Sequence, residues 1–386
     1  MLHPRNLAGV DMVQRGHEPD RPWRRYRVAG LAVGLVLVLA GAVLAVLRPG
    51  SHAAAPAASA APTTTSQPPS ATSPPRTTAP PATRRPRLRA PLGRVVARIP
   101  MPDGLTPMVP AVGGGSVWVV AMNADVSAMV DPRSYLARVD LATKRITARI
   151  PVPGLGLGAG AVTAFGAGSV WVVDSDATSH DVVSKVDPGR NRVVDRIKVG
   201  TEPADVTVAG GAVWVLNSVD ETVSRIDPDS DEVVATVHLP DVAAPPESIT
   251  SSGGALWLPA TDLGLVRIDP ATNQSSIIPL RGCCSGPIMA DGGAIWAADS
   301  STATLLRFQP VSRRIARIPL SDVVDLVTDG DQVVALGHAQ VTWIDPSTNR
   351  LAGVLPISGS YGIAGGAGTV WVAELESKSL MRLAAP

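Results

Sequence analysis

Six tryptophans recur in one frame, and this repetition predicts an all-β fold built from small sheets. Each follows a Gly-rich turn, one small residue and one apolar residue; they are Trp118, Trp171, Trp214, Trp257, Trp296 and Trp371. A seventh copy lies between the last two, with Val334 in place of tryptophan. Repeats of about 40 residues are typical of β-propellers, in which each repeat forms one four-stranded blade around a central channel. The sequence therefore predicts a seven-bladed β-propeller over residues 94–386.

Residues 201–239 show how one blade is encoded. Alternating residues predict an inner strand, Gly210-Gly211 predicts a tight turn, and an apolar run rich in β-branched residues predicts a buried second strand. A third and an outer strand follow, separated by a second turn. The predicted strands are 204–208, 212–216, 222–226 and 232–237.

An Asp-Pro turn before the outer strand is a second marker with the same period. Aspartate accepts hydrogen bonds from the backbone just beyond it, and proline presets φ for such a turn. The turn occurs at Asp187-Pro188, Asp227-Pro228, Asp269-Pro270 and Asp345-Pro346, with Gln309-Pro310 and Asp140-Leu141 as degenerate copies. Two independent markers that stay in phase over six repeats support the propeller prediction.

The recurrent indole has a packing explanation. Blades pack face to face, and one large flat side chain from each second strand fills the wedge between neighbours. We therefore interpret these tryptophans as core residues rather than as a ring on which a ligand stacks. In the sixth repeat, Trp343 stands where other repeats have Arg or Lys, and we expect it to restore some of the volume that Val334 lacks.

The two ends of the repeat region complement each other. Residues 379–386 match a third strand, whereas residues 93–100 match an outer strand that lacks a blade. Pairing of the two in one blade would close the ring and remove exposed sheet edges, which promote aggregation. The sequence thus predicts closure by the N- and C-terminal strands.

Residues 1–93 predict a membrane anchor and a linker. Residues 28–47 are an uncharged apolar run long enough to cross a bilayer as one helix, a signal anchor. Arginines precede the run, so residues 1–27 are expected to be a short basic cytoplasmic tail and the propeller to lie outside. Residues 48–93, rich in Ala, Pro, Ser and Thr, predict a disordered extracytoplasmic linker. A cleaved signal peptide is the alternative, although the run exceeds the usual length of roughly 7–15 residues.

Charge is distributed unevenly along the chain. Residues 1–93 carry 12 arginines and 3 acidic residues, which leaves 22 basic and 30 acidic residues in the repeat region. Nucleic-acid binding depends mainly on neutralising phosphates, so an acidic propeller excludes nucleic acid as an expected partner. The Arg/Ala/Pro-rich composition resembles that of secreted proteins from GC-rich bacteria. We expect a single-pass protein of a bacterial plasma membrane.

The repeat itself resembles a known family. The run "GGAVWVLNS" at residues 210–218, followed by "VSRIDP" and "VVATV", is similar to the YVTN-type propeller repeat, related in pattern to NHL and streptogramin lyase-like propellers. The resemblance covers residues 94–386 and implies the fold. Because such families include protein-binding and cell-surface modules as well as a few lyases, it does not select an activity.

Candidate ligand-binding residues follow from the usual geometry of this fold. The loops that lead into the inner strands and the turns after the second strands share one face, here called the channel-mouth face. Three positions after the tryptophan stand Asp174, Asn217, Asp299 and Glu374, and the predicted inner strands add Asp205, Glu247 and Asp325. The alternative is that these residues form turns through local hydrogen bonds.

A catalytic alternative rests on the resemblance. Streptogramin lyase-like propellers carry "WFTE" repeats and use His and Glu on this face with a divalent metal, and only "WVAE" at residues 371–374 approaches that pattern. The resemblance would make His338 the base and Glu374 its orienting or metal partner. A solvated loop histidine is the alternative. No zinc-ligand spacing and no GxSxG motif occurs, so we predict no metal site, while a divalent cation is compatible with the acidic face.

Cys283 and Cys284 are the two cysteines of the chain. Outside the cell, thiols tend to oxidise, and these two can pair only with each other or with another chain. We expect a vicinal disulfide on the loop into the fifth inner strand, where it would stiffen the channel mouth and offer a flat apolar contact. Two free thiols and an intermolecular link remain alternatives.

The functional prediction is a membrane-anchored, extracytoplasmic binding module. Its expected partner is an extracytoplasmic protein, a cell-wall component or a small molecule, bound at the channel-mouth face, and no cofactor is predicted. An enzyme is the less favoured interpretation, in the form of a streptogramin lyase-like or other lyase or hydrolase that uses the same face.

Overall fold

The repeats fold into seven antiparallel sheets. The computed structural model describes residues 92–123, 134–153, 155, 161–174, 181–280, 283–366 and 368–386. The predicted tail 1–27, the helix 28–47 and the linker up to residue 91 lie outside these residues. Within the described part, no helix combines the length and hydrophobicity needed to cross a bilayer. The seven sheets show that the chain is a seven-bladed β-propeller.

Each blade contains an inner, a second, a third and an outer strand. Blade 1 has its inner position split into β2 (Thr106–Pro107) and β3 (Ala111–Gly113), followed by β4 (Ser116–Met122), β5 (Tyr135–Asp140) and β6 (Ile146–Pro151). Blade 2 comprises β7 (Thr163–Gly166), β8 (Ser169–Asp174), β9 (Val182–Asp187) and β10 (Arg192–Lys198). Blade 3 comprises β11 (Pro203–Ala209), β12 (Ala212–Asn217), β13 (Thr222–Asp227) and β14 (Glu232–His238).

Blades 4 to 7 repeat this order. Blade 4 comprises β15 (Thr250–Ser252), β16 (Ala255–Ala260), β17 (Gly264–Asp269) and β18 (Gln274–Pro279). Blade 5 comprises β19 (Ile288–Asp291), β20 (Ala294–Asp299), β21 (Thr304–Gln309) and β22 (Arg314–Pro319). Blade 6 comprises β23 (Asp325–Asp329), β24 (Gln332–Leu336), β25 (Gln340–Asp345) and β26 (Arg350–Pro356). Blade 7 comprises β27 (Ser360–Gly366), β28 (Thr369–Glu374), β29 (Ser379–Ala384) and, as its outer strand, β1 (Arg94–Pro100).

The turn residues identified in the sequence adopt the backbone conformations and hydrogen bonds that were predicted for them. Gly210 and Gly211 have φ of 58° and 75°, which matches the two positive φ angles of the tight hairpin turn between inner and second strands. At the turn between the third and outer strands, the Asp227 Oδ1 accepts a hydrogen bond from the Asp229 N–H at 2.9 Å, and the last residue of this turn, Asp231, has φ of 60°. A short 3₁₀ turn, Pro102–Gly104, follows β1.

The tryptophans lie between the blades, as the packing interpretation predicts. All six are buried, and in five of them the indole N–H donates a hydrogen bond. In blade 3, for example, Trp214 Nε1 donates to the Ala209 carbonyl at 3.1 Å, at the end of the inner strand. In blade 6, Val334 faces Trp343 across β24 and β25, and both are fully buried. Trp343 therefore adds volume on the face where the other blades have an indole.

A cation on the third strand joins neighbouring blades, a contact that the sequence interpretation missed. Arg225 lies over the Trp214 ring, 5.2 Å from its centre, and donates to the Pro270 carbonyl and the Asn273 Oδ1 of blade 4 at 2.9 and 3.2 Å. Arg138, Lys185 and Arg307 make the equivalent contacts from blades 1, 2 and 5. Such contacts combine cation–π attraction with charge-assisted hydrogen bonds.

We call this contact between a third-strand cation and the next blade the inter-blade clamp. The groups that accept its hydrogen bonds lie in the Asp-Pro turn of the next blade. Its last residue is Asn or Asp with positive φ in each of the four clamped turns: Asn191, Asp231, Asn273 and Asn349. Asn and Asp tolerate this conformation and also supply the acceptor oxygen. Arg267 faces a turn that ends instead in Arg313, and it donates to Asp269 of its own strand at 3.5 Å.

The first strand joins the last blade. β1 pairs antiparallel with β29, from Arg94 opposite Ala384 to Pro100 opposite Ser379. Just before β1, the Gly93 N–H donates to the Val354 carbonyl of blade 6 at 3.1 Å. A Cβ at Gly93 would lie only 2.6 Å from the Trp343 ring, so the backbone passes directly over this indole.

Candidate functional site

The residues predicted at the channel-mouth face occupy equivalent ends of their blades. Asp174, Asn217, Asp299 and Glu374 are the last residues of β8, β12, β20 and β28. Each second strand is followed by the loop to the third strand, so these residues stand at one face of the ring. The Asp174 side chain lies outside the described part of the chain.

Asn217 is fully buried and joins three parts of the chain. Its Nδ2 donates to the Thr222 and Ser224 hydroxyl oxygens at 3.0 and 2.9 Å, and its Oδ1 accepts from the Gly200 N–H at 3.2 Å. The first two bonds join β12 to β13, and the third holds the end of β12 to the loop that precedes β11. Asn217 thus organises the turn from within.

Asp299 has an equally local environment. Its Oδ1 accepts hydrogen bonds from the Ser301 hydroxyl at 2.7 Å and the Ser285 hydroxyl at 3.2 Å, and its Oδ2 accepts from the Thr302 hydroxyl at 2.7 Å. Burial acts to raise the pKa of this carboxyl, but the hydrogen bonds from Ser301 and Thr302 outweigh it and lower the pKa below 3.8. Asp299 is therefore an anion stabilised by its own turn.

Glu374 is tied to the first strand. Its side chain is 9 % exposed and pairs with the Arg98 guanidinium of β1, and its Oε2 also accepts hydrogen bonds from the Ser377 and Ser379 hydroxyls. The carboxylate that the sequence offered as a metal or orienting ligand is thus engaged in joining β28 to β1.

His338 pairs with an aspartate that the sequence interpretation did not identify. Its ring Nδ1 lies 2.5 Å from Asp322 Oδ1, and its backbone N–H donates to Asp322 Oδ2 at 2.9 Å. The imidazole is 61 % exposed, on the turn after β24. Within the described residues, His338 and Glu374 have separate hydrogen-bond partners, and an acid–base role for the two stays a prediction.

Asp205 and Asp325 occupy equivalent positions on inner strands of blades 3 and 6. Asp205 accepts the Val206 N–H at 2.8 Å and the Ile249 N–H of blade 4 at 2.8 Å. Asp325 accepts the Leu326 N–H at 2.8 Å and the Ile363 N–H of blade 7 at 3.3 Å. Inner strands leave one backbone edge towards the channel, and each carboxylate satisfies an N–H of the next blade's edge. Both residues therefore join adjacent blades at the channel wall.

These two carboxyls differ from the others in their acidity. Burial raises the pKa of Asp205 from 3.8 to about 7, against the hydrogen bonds from Ile249 and Val206, and the negative charge of Asp325 raises it further. Burial likewise raises the pKa of Asp325 to about 6. The channel thus holds two carboxyls that ionise near neutral pH.

Glu247 stands apart from these two. It was predicted in an inner strand, but that strand, β15, begins at Thr250, and Glu247 lies exposed in the loop that precedes it. Two prolines, Pro245 and Pro246, delay the strand because they cannot donate backbone hydrogen bonds.

The vicinal disulfide is present between Cys283 and Cys284. Cys284 has φ of 80°, at the position of the loop where Glu202, Asp322 and Gly359 also have positive φ in other blades. The two cysteines are 2 % and 0 % exposed and belong to the apolar cluster that contains Trp257. The expected flat contact for a ligand is therefore wrong, because the sulfur atoms are packed between blades 4 and 5.

No group of three or more His, Cys, Asp or Glu side chains suited to a metal ion occurs within the described residues. The polar groups of the channel-mouth face are mostly bonded to the protein itself. Among the residues that the structure describes, this face offers a partner the channel carboxyl pair, the exposed Asp322–His338 pair and the surface of the turns.

Comparisons with known proteins support the fold alone. No family model matches the sequence, and no curated protein matches it. Among solved structures, a streptogramin B lyase superposes with a TM-score of 0.61 at 16% identity, covering 75% of this chain and 97% of that one. Hydrazine synthase from Kuenenia stuttgartiensis superposes with a TM-score of 0.59 at 15% identity, covering 73% and 96%. The described part of the chain is thus a distant propeller of this type.

The sequence interpretation did not identify Asp322 or the cations of the inter-blade clamp. Asp322 carried no signal of its own, since its pairing with His338 depends on two loops meeting in space. The clamp cations did carry a signal, because a basic residue stands two positions before the last residue of each clamping strand, which is Asp in three of them and Gln309 in the fourth. Its partner, the Asn or Asp that ends the corresponding turn, recurs in the repeat that follows each clamping repeat.

Proposed function

We propose that this protein is a membrane-anchored, extracytoplasmic binding module that engages a protein, cell-wall or small-molecule partner through its channel-mouth face. The observation that carries the proposal is that the two candidate catalytic residues are hydrogen-bonded to different partners. Glu374 is bound by Arg98 and two serines, and His338 is held by Asp322. A face whose acid and base belong to different local networks favours recognition over turnover.

Site-specific photo-crosslinking in cells tests this proposal. A photoreactive residue at His338 is expected to capture a discrete partner, because this position is exposed on the proposed binding face. The same residue at Ser276, which is exposed on the outer strand β18, is the matched control and is expected to capture none. Equal capture at both positions, or capture at Ser276 alone, contradicts binding through the channel-mouth face.

The channel carboxyls favour a partner that carries positive charge. Asp205 and Asp325 lie on blades 3 and 6, on opposite sides of a seven-membered ring, and a cationic group in the channel would stabilise their ionised forms. Calorimetry with calcium chloride and with spermidine at pH 7.5 tests this point. Binding that is lost in Asp205→Asn supports a cationic partner, and absence of heat with both probes contradicts it.

Placement outside the cell is the second part of the proposal. Residues 28–47 would anchor the chain with its N-terminus inside, and residues 48–93 would tether the propeller outside the cell. The apolar run and its arginine flank support this orientation. Protease treatment of intact cells is expected to remove the propeller, whereas a protected propeller would contradict the orientation.

The Asp322–His338 contact favours one alternative, a lyase. A carboxylate that holds Nδ1 of a histidine orients the ring for proton transfer at Nε2. One structure of similar fold is a streptogramin B lyase, so streptogramin B is the probe of choice. Consumption of streptogramin B by the wild type but not by His338→Ala would replace the binding proposal with the enzymatic one.

A further inference from the structure

The outer strands of the propeller carry positive charge on one side of the ring. Nine exposed basic residues lie on five of the seven outer strands: Arg94 and Arg98 on β1, Arg149 on β6, Arg192, Arg196 and Lys198 on β10, Arg314 and Arg317 on β22, and Arg350 on β26. The other two outer strands, β14 and β18, have no Lys or Arg. We call the five charged strands the basic wall.

The position of the basic wall follows from the order of the blades. The charged strands belong to blades 5, 6, 7, 1 and 2, which are consecutive around the ring. Their middle member is blade 7, whose outer strand is β1. In a ring of seven, the gap between blades 3 and 4 lies opposite blade 7, so the two strands without cations are diametrically opposite β1.

Protection of sheet edges does not explain this pattern. Lys and Arg on edge strands prevent edge-to-edge aggregation, and every outer strand of a propeller is such an edge. Protection alone would therefore place cations on β14 and β18 as well. Ion pairs use part of the charge, since Arg98 pairs with Glu374 and Arg149 with Asp103 at 3.1 Å. The acidic residue within the basic wall is Asp195, so a positive excess remains.

We propose that the basic wall rests on the anionic phospholipid headgroups of the membrane in which residues 28–47 anchor the chain. The inference rests on the proposed anchoring. Its support is charge complementarity together with the path of the chain, because β1 is the first strand after the predicted linker and stands at the centre of the basic wall. Each Lys or Arg near an anionic membrane contributes on the order of fivefold in affinity. The channel axis would then lie parallel to the membrane plane, and the channel mouth would remain accessible to partners.

Fluorescence quenching with the full chain in nanodiscs tests the orientation. The native cysteines are joined in a disulfide, so a fluorophore can be attached at Val96→Cys on β1 or at Ser276→Cys on β18, both of which are exposed. With a headgroup quencher in phosphatidylglycerol nanodiscs, the Val96 label is expected to be quenched and the Ser276 label not. The difference is expected to disappear in phosphatidylcholine, whose headgroups carry no net charge. It is also expected to disappear in 0.5 M salt, because salt screens exposed charges.

A pair of variants with equal change in net charge provides the control. Replacement of Arg192, Arg196 and Lys198 by Gln removes three charges from the basic wall and is expected to abolish most of the quenching at Val96. Thr236→Glu, Gln274→Glu and Ser276→Glu together make the same change on the opposite side and are expected to leave it intact. Equal effects of the two variants, or equal quenching of both labels, overturn the proposal.

Failure of the anchor gives a distinct result, namely a chain that does not stay in the nanodiscs. The basic wall is then tested on the free protein by sedimentation with phosphatidylglycerol vesicles. Loss of sedimentation only in the Arg192/Arg196/Lys198 variant supports the basic wall without the anchor. Binding to soluble polyphosphate without binding to the vesicles overturns the membrane as its partner.

Discussion

The channel carboxyls give the propeller an unusual dependence of stability on pH. Asp205 and Asp325 have folded-state pKa values of about 7 and about 6, raised from 3.8 mainly by burial. Between 3.8 and these values the folded state binds more protons than the unfolded state. Stability therefore falls as pH rises through this window and levels off above it. The perturbation that isolates the effect is Asp205→Asn, which cannot ionise.

The magnitude follows from the two pKa values of Asp205. The pKa of Asp205 is 3.8 in the unfolded chain and about 7 in the fold, so a rise from pH 5 to pH 8 lowers the free energy of unfolding by about 2–3 kcal/mol. Asp325 lowers it by about 1–2 kcal/mol more. For a domain of this size, 1 kcal/mol shifts Tm by about 2 °C. The wild type is thus expected to lose on the order of 5–10 °C in Tm from pH 5 to pH 8, and Asp205→Asn, which keeps only the Asp325 contribution, about one third of that.

Thermal unfolding of the full chain, followed by the fluorescence of the buried tryptophans, measures this slope. Asn retains one acceptor oxygen for the two N–H groups of Val206 and Ile249, so the variant is also destabilised by about 1–3 kcal/mol at every pH. The slope, not the absolute Tm, is the readout. Asp345→Asn is the control, because hydrogen bonds from Ser347 lower the pKa of Asp345 and place its titration below this range. An unchanged slope in Asp205→Asn would refute the argument.

Three further predictions concern the ring itself. Arg225→Met breaks an inter-blade clamp and is expected to lower the free energy of unfolding by about 1.5–3 kcal/mol in chemical denaturation. Arg267→Met removes a contact within one strand and is expected to lower it by less. Equal losses in the two variants would argue against the clamp. Deletion of residues 94–100 leaves blade 7 without its outer strand and is expected to cause aggregation or a loss of cooperative melting in calorimetry, so unchanged melting would contradict ring closure by β1. Non-reducing intact mass of the unfolded chain is expected to show no thiol alkylation at Cys283 or Cys284, and two alkylated thiols would exclude the vicinal bond.

The fold was predictable because a propeller repeats one local solution seven times. Each unit carries its own turn signals, and residues such as Gly210-Gly211 and Asp227-Pro228 determine backbone geometry within a few positions of themselves. A weak turn signal in one repeat is then supported by the stronger signals at the equivalent positions of the other repeats. The buried tryptophans follow for the same reason, since each fills the same wedge.

The candidate site was less predictable because its contacts join different repeats. Glu374 was read as a free rim carboxylate, yet its partner Arg98 lies 276 positions away in the chain. The role of Asp205 depends on an N–H that blade 4 presents, and its pKa depends on Asp325 across the ring. Such relations depend on the closure of the ring, which no single repeat encodes.

The departures from the repeat show where closure occurs. A clamping strand needs an Asp-Pro turn in the next blade, but blade 7 has no such turn, because its third and outer strands come from opposite ends of the chain. A cation on β25 would therefore lack its acceptor. Trp343 stands there instead, and it packs under Gly93, whose lack of a Cβ lets the incoming chain pass over the ring. The one blade boundary at which tryptophan replaces the cation is thus the boundary at which the chain closes on itself.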